Sequence, residues 1–149
     1  MKIHFWIYVL SFLLLTTGCA TASEIYEFKS DGCSLFPNGT LKDRTLWCDC
    51  CFKHDIAYWR GGSRVERKEA DKALHACVLE RTKNIILADM MYNGVRFGGS
   101  ASFPMWYRWG YGWKYGRGYQ PLTDEEQKQA SDKLEEYMKI HTSGFCDKH

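Results

Sequence analysis

Between Cys48 and Tyr58 the chain reads Cys-Asp-Cys-Cys-Phe-Lys-His-Asp-Ile-Ala-Tyr. On a helix, Cys51, His54, Asp55 and Tyr58 are spaced three and four residues apart and share one face. Further along, Asp71 and Cys77 fall in a second helical stretch. If Cys50 were bonded to Cys77, the two helices would lie side by side. Asp71 would then sit about one and a half turns from the bridge, near the level of His54 and Tyr58. A histidine, two carboxylates and a phenol would meet in an apolar groove. A histidine oriented by a carboxylate is a general base. A spare carboxylate beside a carbonyl-rich loop suits a hard cation, and calcium takes such oxygen ligands. The competing use of Cys48, Cys50, Cys51, His54 and Cys77 is a zinc cluster, but Cys-x-Cys-Cys-x-x-His matches no common zinc spacing. His75, His141 and His149 lack such neighbours and read as ordinary core or surface residues.

Several elements must position these groups. Residues 30–40 are dense in Gly, Pro, Asn and Ser and read as a loop. Residues 42–60 contain no Pro or Gly and read as the first helix, ended by Gly61-Gly62. Ser63 can cap the second, which the pattern extends from Arg64 to about Asn93. Its apolar residues Ala70, Ala73, Leu74, Cys77 and Val78 recur on one face. The charged stretch from Arg64 to Lys72 reads as a solvated face. Thr123 to Glu126 has the form of a capping box and opens a third, C-terminal helix to about His141. No strand alternation or repeat is visible. The expectation is an all-α, disulfide-stapled small domain.

The chain has 149 residues, 45% hydrophobic and 26% charged, with a formal net charge of +2. It is long enough for one domain and not for two full cores. The charge balance excludes a generally polybasic nucleic-acid binder. Residues 1–22 have the order of a secretory signal: a charged start, an apolar run from Phe5 to Leu15, then small and polar residues. That run is shorter than the roughly 20 residues of a membrane-spanning helix. Two processing routes remain open: cleavage after Ala22, or a lipoprotein-like box with lipidation at Cys19. Both imply export, and both remove Cys19 from the disulfide pool. Cys33, Cys48, Cys50, Cys51, Cys77 and Cys146 remain in residues 23–149, an even number that reads as three disulfides.

Cys-Cys-x-x-His-Asp, the Tyr four residues after the His and the later Asp-x5-Cys resemble the secreted phospholipases A2. Upstream, Asp31-Gly-Cys-Ser-x-x-Pro-Asn-Gly39 resembles their calcium loop, nearest to the short microbial members. The likeness covers residues 31–77, about a third of the chain. It implies two antiparallel core helices beside a calcium loop. It assigns His54 as the base that deprotonates water, Asp71 as the group fixing its tautomer, and Tyr58 as a donor to Asp71. Asp55 would hold Ca2+ with carbonyls between Cys33 and Gly39, with the Asn38 side chain as an additional ligand. It also implies Cys50–Cys77 and Cys33–Cys51, with Cys48–Cys146 as the remaining pair. Many members carry a further bridge, whose two positions are here Ala57 and Ala70. The loop also lacks the glycine-dense form of the pancreatic and venom enzymes. The activity implied is hydrolysis of a glycerophospholipid acyl ester; the alternative is an inactive phospholipase-like protein that binds a membrane or a protein.

Residues 94–121 are aromatic and glycine-rich, and residues 90–123 hold no Asp or Glu. Trp106, Trp109 and Trp113 beside Arg108 and Lys114 suit the headgroup layer of a phospholipid surface. The competing use of these rings is to complete a core that three helices cannot close alone. Export argues against nucleic-acid stacking.

Overall fold

A computed structural model describes residues 23–142 and 144–146. The expected signal segment 1–22, Cys19 and His149 lie outside the described residues. Among those described there are four helices and no strand: α1 (Cys48–Arg60), α2 (Arg64–Thr82), α3 (Ile85–Gly98) and α4 (Asp124–Ile140).

The first helix starts later than its sequence suggests. Asp43 holds residues 40–46 in turns, its carboxylate accepting from the Thr45 N–H at 3.1 Å and its carbonyl from the Thr40 N–H at 2.7 Å. An Asp that bonds nearby backbone competes with helix in this way. The long second helix is in fact two. Lys83 adopts a left-handed conformation (φ 54°), and the Asn84 side chain caps α3 by accepting from the Leu87 N–H. Ser63–Glu66 and Thr123–Glu126 form complete capping boxes at the starts of α2 and α4.

Contacts along α1 and α2 run in opposite order: Cys50 with Cys77, His54 with Asp71, Tyr58 with Arg67. α3 folds back on α2 likewise, with Asp89 on His75 and the Val95 carbonyl on Arg67. One core, built on Trp47, Cys50, Cys51, Leu74, Val78, Ala88 and Met91, fills the space between these three helices. A second lies on the opposite face of α1, where Phe28 packs edge-on against Trp59 and Tyr137, at 5.3 and 4.7 Å between ring centres. All three disulfides are formed: Cys33–Cys51, Cys50–Cys77 and Cys48–Cys146. These six sulfurs therefore offer no thiolate to zinc. That includes Cys50 and Cys77, which lie beside Asp49 in a metal-like grouping.

The aromatic segment packs on the end of the helix that carries His54. A helix leaves its last four carbonyls unpaired. Here Ala57 O accepts from the Gly61 N–H, Tyr58 O from Gly110, Trp59 O from Gly112, and Arg60 O from the Trp113 indole. Trp109 donates its indole N–H to Gly62 O. Trp109 and Trp113 are thus core residues, 2% and 1% exposed, and not membrane-facing. Arg108 is buried too, donating to the carbonyls of Gly110 at 2.6 Å and Trp113 at 2.7 Å. Of the five residues proposed for a lipid face, Trp106 and Lys114 are exposed.

Gly112 makes the close approach possible. A Cβ there would lie 2.5 Å from Trp59 Cδ1 and 2.6 Å from Trp59 O. Gly112→Ala is expected to destabilise the fold by roughly 1–3 kcal/mol, the range for overpacking. An unchanged denaturation midpoint would refute this account of the clamp.

Candidate active site

His54, Asp55 and Tyr58 lie on the buried face of α1, as their spacing requires, and Asp71 meets them from α2. Asp71 is fully buried. Its Oδ1 lies 2.9 Å from His54 Nε2 and accepts from the Tyr58 hydroxyl at 2.7 Å. Burial alone would raise the Asp71 carboxyl. Hydrogen bonds from His54, Arg96 and Tyr58 outweigh that and hold it below the usual carboxylate range. An ionised Asp71 can only accept, so His54 Nε2 carries the hydrogen and Nδ1 has the free lone pair. Nδ1 has no hydrogen-bond partner among the described residues. Burial and the nearby Asp71 charge push the Tyr58 phenol up, which keeps it a donor.

Two cations from outside the motif hold the second carboxylate oxygen. Arg96 Nη1 donates to Oδ2 at 2.6 Å, and Arg67 Nε lies 3.9 Å from it. Arg67 is buried, a correction to the solvated reading of its stretch. Its guanidinium also donates to the Tyr58 and Tyr119 hydroxyls and to the carbonyls of Val95 and Arg96. It therefore fixes the end of α3. Its position four residues before Asp71 was a legible signal; Arg96 has none.

His54 opens on a groove of about 770 Å³. Its walls include Leu74, Met91 and Val95, and Leu35, Met90, Phe97 and Phe103 stand exposed along it. Asp55 lies at the border between this groove and a second concavity of about 740 Å³, lined by Ser30, Asp31, Trp106 and Tyr111.

Asp55 is 8% exposed and makes no ion pair among the described residues. Its Oδ2 accepts from the Ser30 hydroxyl at 2.5 Å. Burial pushes its carboxyl up to about 8; the Ser30 bond lowers it, and the neighbouring Asp31 charge raises it. A buried carboxylate without a cation is costly. Asp55 and Asp31 line the same concavity and are candidate oxygen donors, the chemistry of hard cations. The Asp31 backbone N–H also donates to the Asp55 carboxyl. Of the proposed loop ligands, Cys33 lines the groove with Asp55. Asn38 and Gly39 do not line it. The Asn38 side chain accepts from the Cys33 N–H at 2.8 Å, inside the loop, and Gly39 is packed on Asp43 and Arg44. In the structure both shape the loop apart from the groove lining.

No family model, curated protein or solved structure matches this chain.

Proposed function

We propose that this protein is an exported, calcium-dependent hydrolase that cleaves an acyl ester of a glycerophospholipid. The observation that carries the reading is the His54–Asp71 pair opening on an apolar groove beside the buried Asp55 carboxyl, which has no ion-pair partner among the described residues. The resemblance of residues 31–77 to secreted phospholipases A2 supports the same chemistry.

Asp55 would hold calcium, with Asp31 and the loop around Cys33 as neighbouring oxygen donors. When bound, calcium polarises the ester carbonyl and stabilises the oxyanion. The groove takes the acyl chain, which its apolar walls desolvate. His54 Nδ1 removes a proton from water as the water oxygen attacks the ester carbon. Asp71 stays ionised and stabilises the imidazolium through Nε2–H. The tetrahedral intermediate then expels the alcohol oxygen, which takes the proton from Nδ1. The products are a fatty acid and a lysophospholipid, and His54 returns to its starting state. The exposed Leu35, Met90, Phe97 and Phe103 form an apolar rim that would meet the lipid surface, in place of the buried Trp109 and Trp113.

The test is fatty-acid release from mixed phospholipid vesicles by the oxidised protein, with calcium and then with a chelator. Calcium-dependent release is the expected result. Calcium-dependent vesicle binding without release would favour the inactive, membrane-binding alternative.

A further inference from the structure

The Asp71 carboxylate has two distinct sides. Oδ1 accepts both the Tyr58 hydroxyl and the His54 N–H. Oδ2 has one hydrogen-bond donor among the described residues, Arg96 Nη1 at 2.6 Å. Arg67 is the nearer sequence neighbour, but its Nε donates to Tyr58 and stands 3.9 Å from Oδ2.

We infer that Arg96 is a positioning residue for the proposed reaction, fixing the Asp71 carboxylate so that Oδ1 alone faces His54 and Tyr58. The inference rests on the esterase reading of His54. A carboxylate bonded on one oxygen can turn about its Cβ–Cγ bond and exchange its two acceptors. With Arg96 on Oδ2, turning breaks a charge-assisted bond, among the stronger hydrogen bonds in proteins. The imidazole direction, and with it the aim of Nδ1 into the groove, is therefore set from α3. The two arginines divide the work. Arg67 is 6% exposed at its side chain and fastens the end of α3 through the carbonyls of Val95 and Arg96. The Arg96 side chain is 34% exposed. Water can replace it when it is shortened, while Arg67 still grips the Arg96 backbone. Loss of Arg96 should therefore disorder the dyad without unfolding the protein.

The experiment compares wild type, Arg96→Gln and Arg96→Lys. Proton NMR reads the His54 Nε2–H directly, because an imidazole N–H bonded to a carboxylate resonates far downfield. In Arg96→Gln this resonance should move upfield and exchange faster, and Arg96→Lys, which keeps the charge, should restore part of it. In vesicle hydrolysis, Arg96→Gln should lose roughly 10- to 100-fold in kcat, the scale for removing an outer partner of a reacting group. KM and calcium affinity should be unchanged, and Arg96→Lys should recover part of the loss. A folded Arg96→Gln with the wild-type resonance and kcat would overturn the inference. So would a loss tracking the melting temperature that the lysine variant does not relieve. If Arg96→Gln fails to fold, the lysine variant decides: an unshifted resonance with a collapsed melting temperature would make Arg96 structural. Wild type inactive in every vesicle defeats the esterase reading instead, and the resonance still tests the positioning.

Discussion

Fatty-acid release is expected to fall by roughly 100- to 10,000-fold in His54→Gln, the range for removing a general base. The substitution separates chemistry from folding. The glutamine amide can donate an N–H towards Asp71, so the buried carboxylate keeps a partner. It has no nitrogen that can accept a proton from water. Calcium affinity should be unchanged, because Asp55 and the loop are untouched, and the melting temperature should stay close to that of wild type. A folded variant with wild-type turnover would remove His54 from its role, and with it the present mechanism.

Asp55→Asn is expected to act in two directions. With calcium, it removes the one buried carboxylate of the donor set, and affinity by calorimetry should weaken on the order of 100-fold, since ligand charge tunes such sites over decades. Hydrolysis at moderate calcium should fall with it. Without calcium, the sign reverses at high pH. The Asp55 carboxyl is raised to about 8 in the folded protein, chiefly by burial, from an ordinary value of 3.8. A raised carboxyl favours the fold most below the ordinary value, and that contribution is lost as pH rises through about 8. Above that pH the metal-free wild type holds an ionised carboxylate with no cation beside it in its interior, and the amide does not. Metal-free Asp55→Asn should therefore melt higher than wild type at about pH 9, a condition set by the raised carboxyl. A lower melting temperature there, or unaltered calcium affinity, would refute the assignment of Asp55.

Much of the chemistry was legible because it is local. Cys51, His54, Asp55 and Tyr58 obey helical spacing, and a helix puts them on one face whatever surrounds it. The three disulfides agree with the pairing implied by resemblance. Thr123 and Glu126 announced the start of α4. What failed was long-range or decided by one side chain. The break at Lys83–Asn84 contains neither Gly nor Pro, and Asn84 was the only readable sign of it. Arg67 looked like part of a charged surface because its burial depends on α3 folding back over α2. The aromatic segment has no period because it is shaped by the end of α1: its N–H groups go where that helix leaves carbonyls unpaired. Composition suggested membrane contact for Trp109 and Trp113, and hydrogen-bond satisfaction put both in the core.

The placement of the tryptophans has an optical consequence. Trp47, Trp59, Trp109 and Trp113 are at most 4% exposed, and each donates its indole N–H to a backbone carbonyl. Trp106 is 62% exposed, with its indole nitrogen 3.4 Å from an Asp31 carboxylate oxygen. Trp6 lies outside the described residues and is absent from a chain cut after Ala22. In that chain, dissolved acrylamide should quench the long-wavelength component of Trp106 and leave the four enclosed fluorophores largely dark to it. A cation drawn to Asp31, or a bilayer settling over the groove, would alter that one component. The protein thus carries an unlabelled fluorescent reporter at the border of its own cleft.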